Sequence, residues 1–115
     1  MVLFPMATSY FEEVVEKSGG LEAASEFFRL FHSAGDIHGS CTGPGPGLTL
    51  ADGTMALIRW VEHDEAPQEL IAERFDAQAG QVVATRPLFS YPSVTVYSGS
   101  GDPAEAASYV RAERN

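Results

Sequence analysis

The chain has little positive charge, one cysteine and no long apolar run, and each shortage removes a class of function. Seven Lys and Arg stand against sixteen Asp and Glu, for a net charge of −9. Such a surface repels phosphate backbones and anionic head groups, so neither nucleic acid nor a membrane surface is an expected partner. A single cysteine, Cys41, cannot build an internal disulfide framework, and it fits a reducing compartment. No stretch reaches the roughly 20 apolar residues of a membrane span. The opening Met-Val-Leu-Phe-Pro-Met-Ala is too short and uncharged for a secretory signal, so the chain as it stands is expected in the cytoplasm. There is also no internal repeat, low-complexity tract or dividing linker. With 115 residues, 44% of them apolar, the chain reads as one domain spanning 1–115.

What is present is a mixture of periods. From Tyr10 to Lys17, Phe11, Val14 and Val15 share one helical face and Glu12, Glu13 and Glu16 the other, which reads as a solvated side. Ser9 and Glu12 have capping-box spacing, and Gly19-Gly20 supplies a stop. A short helix follows over 21–25. Phe27-Phe28-Arg29-Leu30-Phe31 then reads as a buried strand. Residues 33–47 hold five glycines with Pro44 and Pro46, a loop composition. A further helix, capped by Asp52 or Thr54, carries Met55, Ile58, Trp60 and Val61 and ends near His63, before Pro67. Strands are expected at 70–75, 81–85 and 94–97, forming a small hairpin layer, and Asp102-Pro103 predicts a final helix over 104–114. The sum is an α/β chain of few strands with three to four helices.

Several residues could carry chemistry. Gly43-Pro44-Gly45-Pro46-Gly47 lacks the Lys and Ser or Thr of a phosphate loop, and its prolines remove N–H donors. It reads as a stiffened connection. His32, Asp36, His38 and Cys41 lie within ten positions, but without paired ligand spacing no metal site is expected, and no cofactor either. Cys41 near His38 could be a thiol nucleophile, against the plainer reading of a small apolar residue beside a surface imidazole. His38 itself sits in the loop after the expected strand and before a helix. From spacing alone it reads first as a plain surface histidine; the sharper reading is a general base, which Ser hydrolases built on a mostly parallel sheet take from the loop after the final strand. Trp60, Phe27, Phe28 and Phe31 read as packing rather than a ligand box.

Taken in order, Phe27-Phe28-Arg29-Leu30-Phe31, the Gly35 to His38 turn, Gly43-Pro44-Gly45-Pro46, Trp60-Val61-Glu62, Ala66-Pro67, Arg86-Pro87-Leu88, Tyr91-Pro92, and Tyr97 with Gly99-Ser100-Gly101-Asp102 resemble the C-terminal part of the tannase and feruloyl esterase family. The resemblance implies the C-terminal part of an α/β-hydrolase fold bearing a large lid, a Ser esterase acting on phenolic-acid esters. It implies that His38 is the catalytic base, and it aligns Tyr10-Phe11 with an aromatic pair in the helix after the triad Asp. The family's Ser nucleophile, oxyanion donors and triad Asp lie upstream of the matching region. Where the family has Cys after the His, this chain has Gly39; where a second family disulfide joins the Cys after Arg-Pro-Leu to one near the chain end, it has Phe89 and Arg111; and the Pro and Met of the His turn are Ala34 and Asp36. Loss of matched cysteines fits a reducing compartment, whereas full-length members of the family are often secreted. The expected function is therefore the base-bearing portion of a carboxylic ester hydrolase, incomplete alone. The alternative is a non-enzymatic remnant acting through self-association or a partner chain.

Overall fold

The computed structural model of the chain describes residues 4–36 and 45–114, so His38, Gly39, Cys41, Gly43 and Pro44 lie outside the described residues. Three helices come first. Helix α1 spans Phe4–Ser18, longer than the periodicity predicts, because Pro5 in the first turn forfeits no hydrogen bond there. Ser9 consequently lies inside the helix, and the capping box expected at Ser9 and Glu12 is not its start. The stop is as expected: Gly20 N–H donates to Val15 O at 2.9 Å, with Gly19 at φ 93° and Gly20 at φ 132°. Helix α2 covers Leu21–Ser25. Helix α3, Leu50–His63, is capped by Thr49, whose Oγ1 accepts from Asp52 N at 3.0 Å while Asp52 Oδ2 accepts from Thr49 N at 2.9 Å. The capping box thus starts three residues before the expected Asp52.

Two antiparallel hairpins follow. Strand β1 (Glu69–Asp76) pairs with β2 (Gln81–Phe89) from Glu69 opposite Phe89 to Asp76 opposite Gln81, with an irregularity between Arg74 and Phe75. The turn forms because Asp76 Oδ1 accepts from Gln78 N at 2.8 Å and Gly80 takes φ 68°. Strand β3 (Ser93–Tyr97) pairs with β4 (Tyr109–Glu113).

The last pairing corrects the helix expected over 104–114. Asp102 does cap the turn, accepting from Ala104 N at 2.9 Å, but only a single 3₁₀ turn at Ala106–Ser108 follows. Ala106 N donates to Thr85 Oγ1 at 2.8 Å, and Tyr109 and Val110 then join the ladder with β3. Tertiary pairing overrides the helix propensity of the alanines.

The buried strand expected at 27–31 is also corrected. Among the described residues it has no ladder partner, and Phe27 is 64% exposed. Apart from the local bonds of Phe27 N and Phe28 N to Ala24 O, its backbone is tied to the rest of the fold where Tyr91 N donates to Leu30 O at 2.7 Å. A segment suited to the interior of a parallel sheet cannot be a strand without neighbours.

The core is correspondingly small. Among the described residues the buried apolar side chains are Phe11, Ala24, Ala72 and Leu88, with Pro87 beside the last. The Phe11 ring meets Phe28 at 5.3 Å and Tyr91 at 5.8 Å, which fastens α1 to both the 27–31 segment and the bend before β3. Among the described residues no helix is long and apolar enough to cross a membrane.

Candidate functional site

The segment leading into the His38 loop is anchored by Arg29. Its Nη1 donates to Pro67 O at 2.8 Å, its Nε donates to Ser25 O at 3.1 Å, and its guanidinium lies over the Trp60 ring at 5.3 Å. Trp60 is therefore a packing surface for Arg29, as the sequence suggests, and its cation contact holds the strand-like segment against the end of α3.

Beyond that segment the chain narrows to a neck. Asp36 Oδ2 accepts from Ser33 Oγ at 2.5 Å and from Leu48 N at 3.0 Å, so one carboxylate oxygen spans the two sides of the loop's base. Ser33 Oγ also accepts from Leu48 N at 3.2 Å. Two glycines permit the approach. A Cβ on Gly35 would lie 1.8 Å from Pro46 O, and a Cβ on Gly47 would lie 1.8 Å from Asp36 Oδ1. Gly47 is tied in turn to β1: its N–H donates to Glu73 O at 3.0 Å and its O accepts from Glu73 N at 2.9 Å. Residues 33–36 and 46–48 are thus held against each other, with Gly47 tied to the hairpin. The glycines of this loop serve close backbone approach, an outcome consistent with a stiff connection rather than a phosphate cradle.

Beside the neck lies a cavity of about 210 Å³ lined by His32, Gly35, Pro46, Arg86, Tyr91 and Thr95, among others. His32 Nε2 lies 3.2 Å from Thr8 Oγ1, and its ring packs on Tyr91 at 5.5 Å. Burial holds the imidazole below its ordinary pKa of 6.5, with the positive charge of Arg114 acting in the same direction. Tyr91 Oη donates to Glu12 Oε1 at 2.6 Å. That bond, followed by burial and the Glu12 charge, raises the phenol above its ordinary 10.0. Arg114 covers the Tyr91 ring at 5.8 Å. A larger open groove between β2 and residues 102–107 is lined mainly by alanine and valine and lies away from these groups.

Of the residues singled out in the sequence, Asp36 belongs to the neck and His32 to the adjoining cavity, whereas His38 and Cys41 lie outside the described residues. No group of three His, Cys, Asp or Glu converges among the described residues. Glu12 is more than a solvated helix face, since it holds Tyr91; the Tyr91-Pro92 pair was the one sequence signal pointing there. Gly47 drew notice only for backbone freedom, and its contact with Asp36 requires the folded loop.

The sequence model of the family described as tannase and feruloyl esterase matches residues 3–112 of this chain. A probable feruloyl esterase of Arthroderma benhamiae is 33% identical over 109 residues, covering 94% of this chain and 20% of the relative. A mono(2-hydroxyethyl) terephthalate hydrolase of Piscinibacter sakaiensis is 37% identical over 94 residues, covering 81% of this chain and 15% of that protein. In three dimensions the chain is similar to feruloyl esterase B of Aspergillus oryzae, with a TM-score of 0.77 and 21% identity over 95% of this chain and 24% of the esterase. The chain therefore spans about a fifth of the length of the curated relatives it matches.

Proposed function

Because the chain belongs to the tannase and feruloyl esterase family of ester hydrolases, we propose that it is the C-terminal portion of a carboxylic ester hydrolase of α/β-hydrolase type, contributing the general base His38. The supporting observation is the neck: the loop bearing His38 leaves the end of the Phe-Arg-Leu-Phe segment and is tied at its base by Asp36, Ser33, Leu48 and Gly47. A base must be held still to within a fraction of an ångström to be effective, and a cross-braced loop base serves that requirement.

In this role His38 takes the proton of a Ser hydroxyl as it attacks the ester carbonyl, then returns it to the leaving alcohol. The substrate class is a phenolic-acid ester. The Ser, the Asp orienting the imidazole and the oxyanion donors come from outside this chain. Since these groups supply nearly all of the rate enhancement, the 115-residue polypeptide alone is inactive. Methyl ferulate and a nitrophenyl ester are the test substrates: turnover by the purified chain, abolished in His38→Ala, would overturn the inactive-alone reading.

The unladdered 27–31 segment and the exposed residues of α3, Met55, Leu57, Ile58 and Val61, are the natural contact face for the Ser-bearing part of the enzyme. Fifteen large apolar side chains are exposed among the described residues, while the buried apolar ones are few, so the chain alone leaves much of its apolar surface uncovered. The same exposure favours one second reading, a remnant domain that covers this face by self-association. Light scattering separates the two, since a monomer at working concentration is incompatible with the second. A reducing compartment is consistent with both: Arg111, at a family disulfide position, instead donates from Nε to Ser93 Oγ at 2.8 Å and braces the β3–β4 pair without a covalent bond.

A further inference from the structure

We infer that the cavity beside the neck is a binding site for a small aromatic carboxylate, its ring enclosed by the apolar walls and its anionic group met by Arg86. The site requires neither His38 nor turnover and so goes beyond the proposed function. It agrees with that function in kind, because hydrolysis of a phenolic-acid ester releases an acid of this class. Three observations carry it. The first is the sign of the lining. The chain has sixteen Asp and Glu among 115 residues, yet none of them lines this cavity. By contrast, the groove along β2 is lined in part by Asp102 and Glu105, and a surface pocket between α2 and β4 by Glu22 and Glu113. An anion entering beside the neck therefore meets a cation at the wall and no carboxylate.

The second observation is how that cation is held. Arg86 Nη2 donates to Tyr109 Oη at 3.1 Å and the guanidinium lies over the Tyr109 ring at 4.9 Å, while Tyr109 Oη is itself fixed by donating to Pro103 O at 2.7 Å. Among the described residues no carboxylate pairs with Arg86. A neutral phenol thus orients the guanidinium without neutralising it, and leaves most of its N–H donors for an anion. The third is size and surface. An apolar cavity of roughly 150 Å³ is enough for a benzene ring, and this one holds about 210 Å³. Leu88, Val94 and Pro46 supply aliphatic wall, and Phe89 and Tyr91 supply aromatic surface on which a ring packs. The other titratable wall group, His32, is kept below its ordinary 6.5 by burial and is neutral at neutral pH, so the lining offers one cation and suits a single negative charge.

The test is a titration of the isotopically labelled full chain at neutral pH with benzoate, benzyl alcohol and acetate, followed by nuclear magnetic resonance. The amides of Leu88, Val94 and Thr95 report on the cavity and that of Arg59, in α3, is the control. Benzoate should shift the three cavity amides saturably with a Kd of about 1 mM and leave Arg59 in place. Benzyl alcohol, which keeps the ring and lacks the charge, should bind at least about fivefold more weakly, and acetate should produce no saturable shift. Arg86→Gln should bring benzoate down to the affinity of benzyl alcohol, Arg86→Lys should restore part of the difference, and Val94→Phe, which fills the cavity, should abolish binding of both. If Arg86→Gln disturbs the fold, seen as a displaced Arg59 amide before any addition, Tyr109→Phe carries the same expectation at smaller amplitude. Benzoate and benzyl alcohol binding alike would overturn the role of Arg86, and acetate matching benzoate would overturn the enclosure of the ring. Benzoate shifts that do not saturate, or that are as large at Arg59, would overturn the site. None of these outcomes bears on the base assignment: an esterase indifferent to His38→Ala leaves the cavity's binding intact, and a cavity that binds nothing leaves His38 as the proposed base.

Discussion

The Tyr91 hydroxyl donates to Glu12 Oε1 at 2.6 Å, joining two residues 79 positions apart and fastening α1 to the bend before β3. Around this bond the Phe11 ring meets Tyr91 edge-on and the His32 ring packs on it at a tilt, with Arg114 over the Tyr91 ring. In a chain with so few buried apolar residues, this cluster is a large share of what unites the N-terminal helices with the hairpins. Tyr91→Phe, which keeps the ring and removes the hydroxyl, should lower stability by about 1 kcal/mol in urea denaturation. Tyr91→Ala should cost roughly 3 kcal/mol, because the ring contacts are lost too.

The same bond has an alkaline signature. The Glu12 carboxylate holds the Tyr91 phenol above its ordinary 10.0, so the folded state keeps this proton longer than the unfolded one. The resulting stability is fully present below pH 10.0 and falls as pH rises through the raised value. Phenolate absorbance should show one tyrosine titrating late in the native chain, and Tyr91→Phe should remove that component.

His32 gives the opposite limb. Burial, aided by Arg114, disfavours its cationic form, so the folded state takes up this proton at lower pH than the unfolded one. Its share of stability is intact above pH 6.5 and diminishes as pH falls below it. Thermal melts between pH 7.5 and 5.0, chosen as about one and a half units either side of the ordinary histidine value, should show this decline in the native chain and a flatter profile in His32→Gln.

Two glycines should respond in opposite senses to the same change. Gly35→Ala drives a Cβ into the backbone oxygen of Pro46 and should destabilise by about 1–3 kcal/mol. Gly53→Ala, inside α3 with open space around it, should stabilise by up to about 1 kcal/mol. Urea denaturation of both variants checks the pair. Equal effects would mean that the neck is not closely packed.

The elements legible in the sequence are those determined locally. Glycine stops, a short helix at 21–25, the region of α3 and the turn at Gly80 all follow from residues within a few positions of one another. What was not legible depends on distant partners. Phe27 to Phe31 has strand composition, but a strand needs neighbours, and among the described residues these find a single long-range backbone partner, Tyr91 N at Leu30 O. Residues 104–114 carry a helix start and helix-forming alanines, yet Thr85 and β3 divert them into a turn and a strand. The site divides the same way. The proposed base, His38, was put forward from loop position and family likeness and lies outside the described residues, whereas the Asp36 to Leu48 brace joins groups twelve positions apart and depends on the folded chain.

The most direct measurement of the central claim is esterase activity in a chimera, with this chain replacing the matching part of feruloyl esterase B of Aspergillus oryzae. The account predicts that the chimera hydrolyses methyl ferulate while the 115-residue chain alone does not. It further predicts that His38→Ala lowers kcat by at least about 1000-fold with little change in KM. A folded, active chimera whose kcat is indifferent to His38→Ala would contradict it.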